Sequence, residues 1–418
     1  MREHRELAEL VHCTNEKIIA KKDPNKPYVG LEHIPQRGSE ITEHSHAGDS
    51  ISTNSVFRES DVLFGKLRPN LRKCVLARFA GYCSTDILVL RALPGASPSY
   101  AVRVLQSEQV GAEAEKTAIG TKMPRTSWAS LKNVKVFAPS ISQQQKIAQI
   151  LDTLDTQIQK TEALIAKLEK IKEGLLHDLL TRGIDQNGQL RPTPEQAPEL
   201  YKESVLGLIP REWDISTLGD SSISSVIGPF GSDLVASDYR SEGVPVVFVR
   251  DIAGAQYDRV SQVFVSPRKA QALSAHEVTA GDLLLTKMGL PPCISAVYPK
   301  REPAGIITAD IVRLRLKADV APEWAHHYVN SEAVKSQVRG ITAGVTRPKV
   351  TLKDARSLRI AVPDIEEQAR ILSILQRSSS RLESESASLA KLRAQKSGLM
   401  DDLLTGRTRV TSLLKDSI

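Results

Sequence analysis

Lys66, Arg68, Arg72 and Lys73 stand within one short stretch of this chain, and Lys122, Arg125, Lys287, Arg347 and Lys349 stand beside polar loops further on. A guanidinium offers a planar fork of donors that matches a guanine edge, whereas a lysine ammonium neutralises phosphate as a compact point charge. These nine residues are therefore candidates for contact with a polyanion, and with DNA above all. The formal net charge of +7 and pI near 9.1 agree with that chemistry. No block of consecutive Lys or Arg is present, so a disordered basic tail is excluded and the fold must build the surface.

A search for catalytic chemistry returns little. HExxH, GxSxG and the GK[ST] phosphate loop are absent, as is the acidic-aromatic motif by which an amino-methyltransferase works on a flipped base. GPFGSDL, from Gly228 to Leu234, is a Gly/Pro turn able to approach a backbone closely. His44 with His46, and His326 with His327, have no acidic or cysteine partner at ligand spacing and read as ordinary surface histidines. PPC at Pro291 to Cys293 resembles the nucleophile motif of cytosine methyltransferases, but no glycine-rich cofactor motif precedes it. The expectation is a non-catalytic chain with no metal and no directly bound cofactor.

The elements that must position these residues are duplicated. Pro139 to Gly183 overlays Pro363 to Arg407 without a gap at an offset of 224 residues, and Lys167, Leu168, Lys172, Gly174, Leu175, Asp178, Leu179, Leu180 and Thr181 recur unchanged. In the first copy, Ile147, Leu151, Leu154, Ile158, Ile165, Leu168, Leu175 and Leu179 form a heptad seam interrupted at Thr161 and Lys172. The second copy has Ile371, Leu375, Leu382, Leu389, Leu392, Leu399 and Leu403, with Ser378, Glu385 and Lys396 as interruptions. Ser140 with Gln143, and Asp364 with Glu367, have capping-box spacing after Pro139 and Pro363, and Gly183 and Gly406 mark the ends. Two helices of roughly 60 Å result, Gln145 to Arg182 and Ala369 to Thr405. An approximate two-fold relation between the halves predicts that they pair antiparallel within the chain.

The repeat extends into the globular regions. DILVLRA from Asp86 corresponds to DIVRLRL from Asp310 at the same offset, and Gly120 to Arg125 corresponds to Gly344 to Lys349. DVLFGKLRP from Asp61 resembles DLLLTKMGL from Asp282 after a three-residue shift. Between these shared segments the sequences diverge, as one scaffold carrying two different surfaces would. The expected layout is an α+β fold: two mixed α/β target-recognition domains (1–138 and 213–362), two spacer helices (139–183 and 363–407) forming an antiparallel coiled coil with a pseudo-two-fold internal repeat, a Pro/Gln-rich linker (184–212) and a C-terminal tail (408–418). The first half has no counterpart of IPREW, Ile209 to Trp213, so its leading strand is expected to be absent or replaced by MREHRELAEL as a helix.

At 418 residues with 41% hydrophobic content, the chain can bury more than one core. Four scattered cysteines disfavour a disulfide framework, and no apolar run approaches the ~20 residues of a membrane span, so a cytoplasmic protein is expected.

The order of these motifs is similar to that of the specificity subunit of type I restriction-modification systems. The resemblance covers nearly the whole chain. It rests on Gln144 and Gln368 after a proline-ended strand, the LLTRG and LLTGR helix ends, PYVGLEHI from Pro27, STDILVLRA from Ser84, SVLGLIPREW from Ser204, and GPFGSDL followed by GVPVVFVRDI. It implies two domains that each read one half of a bipartite site in double-stranded DNA, with the paired helices fixing the gap. It also implies two docked modification subunits that bring S-adenosylmethionine, and restriction subunits that bring ATP- and Mg-dependent translocation. Two other readings are a structural coiled-coil adaptor and the recognition subunit of a methylation-only complex.

Overall fold

The computed structural model describes residues 3–19, 23–38, 40–41, 43–49, 53–342 and 348–417. They form two compact units: Met1–Ile165 with Ser384–Ile418, and Ala166–Glu383. Each unit joins one globular region to part of both long helices.

In the first unit the strands are β1 (His4–Glu6), β2 (Val11–Cys13), β3 (Lys17–Ile19), β4 (Pro27–Val29), β5 (Ser45–His46), β6 (Thr53–Phe57), β7 (Val62–Gly65), β8 (Cys74–Leu76), β9 (Gly81–Cys83), β10 (Ile87–Ala92) and β11 (Lys135–Phe137). The helices are α1 (Pro98–Gln106), α2 (Glu108–Lys116), α3 (Trp128–Leu131) and the long α4 (Ile141–Thr181). An antiparallel sheet of order β2-β10-β7-β8 lies at the centre, beside a mixed sheet of order β3-β6-β9-β4-β5 in which β4 and β9 are parallel. The central strands read as near-continuous apolar runs because both of their faces are buried. Val62, Phe64, Cys74, Leu76 and Leu90 pack toward α1, α2 and the ends of the long helices, while Leu63, Val75, Ile87 and Val89 alternate into the core under the mixed sheet.

The second unit continues with β12 (Tyr201–Ser204), β13 (Gly207–Pro210), β14 (Asp214–Thr217), β15 (Ser222–Ile227), β16 (Tyr239–Arg240), β17 (Val244–Val247), β18 (Ile252–Ala253), β19 (Gln256–Tyr257), β20 (Phe264–Val265), β21 (Glu277–Val278), β22 (Leu283–Thr286), β23 (Ser295–Val297), β24 (Gly305–Ile307), β25 (Ile311–Leu316) and β26 (Arg359–Val362). Its helices are α5 (Pro267–Ala272), α6 (Pro322–Val329), α7 (Glu332–Ile341), α8 (Leu352–Ser357) and the long α9 (Ile365–Thr405). The sheet β15-β25-β22-β23 repeats β2-β10-β7-β8, and β20-β17-β24-β21 repeats β5-β4-β9-β6. The fifth strand joins opposite edges: β3 beside β6 in the first unit, β16 beside β20 in the second. The repeat also holds atom for atom. Gln144 accepts from Ser97 N–H at 2.9 Å and donates to Pro139 O at 2.9 Å; Gln368 accepts from Ala321 N–H and donates to Pro363 O, both at 2.8 Å.

Three expectations are corrected. The first unit has its leading strand: β1 pairs antiparallel with β11, His4 opposite Phe137, as β14 pairs with β26. MREHRELAEL is therefore no helix; its described part runs from strand β1 through one 3-10 turn and leads into β2, because Leu7 and Leu10 are drawn into the core. The tail is part of the first unit, with Val410 buried and Arg409 forking Glu3 at 2.6 and 2.7 Å. The Pro/Gln-rich linker is built structure, with the β12–β13 hairpin and buried Ile184, Tyr201 and Ile209.

The long helices pair antiparallel within each unit. In the first, Asp155 meets Lys396 at 2.5 Å and Glu162 meets Arg393 at 2.7 Å, so rising numbers on α4 face falling numbers on α9. In the second, Leu179 and Leu180 share a core with Ile371 and Leu375. Each helix forms one half of its capping box: Ser140 N–H donates to Gln143 Oε1 at 3.2 Å, and Glu367 N–H donates to Asp364 Oδ1 at 2.7 Å. Gly183 and Gly406 adopt φ of 62° and 79°, the left-handed stop that favours glycine.

The seam interruption at Lys396 is itself a contact. Asp155 is held between Lys396 Nζ and Arg103 Nη1 of α1, each at 2.5 Å, and all three side chains are largely buried. At offset 224 the second unit places His327, Ser379 and Lys172 instead, so this charge lock has no repeat. Asp155→Ala strands Lys396 and leaves Arg103 with only the more exposed Asp152, and is expected to destabilise the first unit by about 3 kcal/mol, read from urea unfolding; a change below about 1 kcal/mol would refute the lock.

Candidate nucleic-acid interface

Three loops of the first unit are zipped together at one end of its central sheet. As the chain leaves β7, Lys66 N–H donates to Asp86 O at 3.0 Å, and Lys66 O accepts from Thr126 N–H at 3.0 Å. Leu67 bridges to Arg125, Arg68 N–H donates to Pro124 O at 2.8 Å, and Ile119 and Arg125 exchange two backbone hydrogen bonds of 2.9 Å. This wiring brings Lys66, Arg68, Lys122 and Arg125 to one edge. Arg68, Lys122 and Arg125 are exposed there and Lys66 is half-buried. Ile119, 83% exposed, and Met123 stand among them, and nothing in their spacing had marked them out.

Arg72 and Lys73 do not join this surface, which corrects the reading from sequence. A 3-10 turn, Pro69–Leu71, separates Arg68 from Arg72, both in the left-handed region at φ of 50° and 52°, and it turns the Arg72 side chain inward. Its Nε and Nη2 each contact a carboxylate of α2, Glu115 and Glu108, at 2.8 Å. Lys73 Nζ donates to Leu31 O at 2.6 Å. The partners lie some 40 residues away along the chain, out of reach of any local pattern.

Arg125 keeps its exposure while being held. Its Nε and Nη2 donate to Asp86 Oδ1 and Oδ2 at 2.9 and 3.2 Å, a bidentate fork. Those hydrogen bonds hold the Asp86 carboxyl below its usual range, and the same pair raises the arginine.

The second unit repeats the backbone wiring with other side chains. Lys287 N–H donates to Asp310 O at 2.7 Å, Val350 N–H donates to Lys287 O at 3.1 Å, and Met288 bridges to Lys349. Lys287 Nζ lies 4.8 Å from the centroid of Phe230, whose ring is more than half exposed. Phe230 sits in the GPFGSDL turn, where Gly228 is required: a Cβ there would stand 2.2 Å from the Thr308 carbonyl. Lys349 is exposed, and Arg347 lies outside the described residues. Sequence reading passed over Phe230, Leu290, which is 81% exposed, and Arg250, whose guanidinium lies 4.5 Å from the Phe248 ring centroid. The aromatic inside a Gly/Pro turn was the available signal.

The remaining candidates divide. His44 and His46 are exposed, as expected. His326 and His327 are not surface residues: they are half-buried on α6, where His326 Nδ1 lies 3.3 Å from Ser295 Oγ, and burial pushes His327 down to about 4. Cys293 is buried and its thiol is pushed up to about 12 by desolvation, the opposite of an activated nucleophile. Among the described residues no cluster of His, Cys, Asp or Glu is arranged to hold a metal ion, and no helix is long and apolar enough to cross a membrane.

Comparison with known proteins bears on the family and the fold. The family described as the type I restriction modification DNA specificity domain matches residues 3–170 and 279–394. The chain is 23% identical to a putative type I restriction enzyme MjaX specificity subunit of Methanocaldococcus jannaschii, across 98% of this chain and 94% of that one. It is 24% identical to the EcoBI specificity subunit of Escherichia coli, across 58% and 51%. Among solved structures, a chain from a study of complex assembly and conformational transition in a type I R-M system superposes with a TM-score of 0.61 at 20% identity, across 96% of this chain and 98% of that one. The HsdS subunit of Thermoanaerobacter tengcongensis superposes with a TM-score of 0.54 at 20% identity, across 97% and 98%.

Proposed function

Since this chain belongs to the type I restriction modification DNA specificity family, we propose that it supplies the address of a multi-subunit assembly. Each globular region reads one half of a bipartite site in double-stranded DNA, and the paired helices α4 and α9 set the gap. The observation that carries this reading is the repeated loop wiring around Lys66 and Lys287 under side chains that differ between the units. A common backbone frame with unlike residues suits two unlike half-sites. Lysines and backbone N–H groups fix the register on phosphate, and residues reaching base edges carry the sequence information.

The seam residues Ile165, Leu389 and Leu392 of the first unit, and Leu168 and Leu382 of the second, are only half-buried. Two helices alone cannot dry such a seam, which favours its use as a dock. We assign it to modification subunits, two by the pseudo-symmetry, that bring S-adenosylmethionine; restriction subunits bring ATP and Mg. The chain itself does no chemistry and works in the cytoplasm.

Co-expression with a modification subunit is expected to methylate adenine at one bipartite motif, read by genome-wide methylation mapping. A soluble complex that methylates no bipartite motif would overturn this reading and leave the helices as an adaptor.

A further inference from the structure

The two units place different cations, differently paired, at one equivalent position of the same loop frame. Arg125 and Lys349 correspond at offset 224; both are exposed, and both bridge the strand-end loop, at Leu67 and Met288. Arg125 is additionally fixed by two backbone bonds to Ile119 and by the carboxylate of Asp86. Asp86 has its own counterpart, Asp310, but Lys349 makes no ion pair with it or with any other carboxylate among the described residues.

That difference changes what each cation can recognise. A guanidinium bound through Nε and Nη2 has its charge largely offset, which makes it a poor anchor for phosphate. It still has outward hydrogens on Nη1 and Nη2, and one Nη1 contact, to Met123 O, is long at 3.4 Å. These outward donors match O6 and N7 of guanine. The carboxylate removes rotamer freedom that would otherwise be lost on binding. An unpaired ammonium on a flexible stem keeps its full charge and has no fork, which suits phosphate.

We propose that Arg125 reads a guanine in the half-site met by the first unit, with Asp86 as its positioning residue, and that Lys349 neutralises a phosphate at the corresponding place in the second. This rests on the DNA-recognition reading above and names how the two units differ within it.

The test uses the full chain in complex with its modification subunit and a panel of duplexes carrying every single base-pair substitution in the mapped motif. Arg125→Lys keeps the charge and is expected to reduce discrimination at one G·C pair of one half-site by about tenfold to a hundredfold, leaving the dependence of binding on salt unchanged. Asp86→Asn should reproduce much of that loss and Asp86→Glu restore it, which a purely structural role for Asp86 would not do. Lys349→Ala is expected to weaken binding equally on all sequences and to lower the salt slope by about 0.9. An Arg125→Lys complex that assembles with unchanged base preference, or that loses affinity uniformly on all sequences, overturns the assignment. So does a first half-site without a G·C pair. If Arg125→Lys does not assemble, the residue is a structural support and the assignment fails. A wild-type complex with no motif at all would instead sink the broader reading.

Discussion

Glu367→Ala is expected to cost the second unit about 3–5 kcal/mol, the largest effect of any single side-chain change we identify. The Glu367 carboxylate is 1% exposed and collects four donors: Arg191 Nη1 at 2.5 Å, Arg191 Nη2 at 3.0 Å, Trp213 Nε1 at 3.1 Å and the Ile184 N–H at 2.9 Å. Truncation leaves a buried guanidinium with only the exposed Glu212 as counter-ion, and strands an indole and a backbone N–H in a dry core. Space is as constrained as charge, since a Cβ on Gly183 would lie 2.3 Å from Glu367 Oε1 and 2.5 Å from the Trp213 ring. Hydrogen exchange should therefore show faster opening across 184–213 in the variant. Gln143, the counterpart of Glu367 in the first unit, is half-buried and bonds Ser140 and the Thr411 hydroxyl, and Gln143→Ala is expected to cost about 1 kcal/mol or less. If the two substitutions cost the same, the linker is not fastened in this way.

That fastener shows where legibility in the sequence ended. Glu367 was read as the third position of a capping box, which local spacing supports; its actual partners lie 154 and 176 residues away. The duplication, the helix ends and the apolar strands could be read because they depend on periods of two and seven residues and on left-handed glycines. Lys66 and Lys287 could be paired as equivalents because the repeat aligns the strands that precede them. Arg72 carries the same charge as Arg68, and only the turn between them, followed by α2 folding back with Glu108 and Glu115, separates a surface cation from an internal one. The leading strand of the first unit was hidden for a related reason. HRE carries no strand pattern of its own, and pairing with β11 imposes the conformation.

Removing residues 159–165 from α4 together with 386–392 from α9 should give an assembly that recognises the same two half-sites with a shorter gap. The pairing of Asp155 with Lys396 and Glu162 with Arg393 places these two stretches opposite each other. Seven residues are two turns of a seam with a 3.5-residue repeat, so the apolar stripe keeps its face and each helix shortens by about 10 Å. At roughly 3.4 Å per base pair, the unspecified gap should contract by about three pairs, and methylation mapping reads that directly. Removing the stretch from one helix alone sets 41 residues against 34 and cannot keep both ends in their cores, where Ile147 and Leu403 serve the first unit and Leu179 and Ile371 the second. That variant is expected to lose assembly, or to lose methylation altogether. The two outcomes separate a ruler from a tether: a tether tolerates the single deletion and keeps its gap after the double one, whereas a ruler fails the first and follows the second.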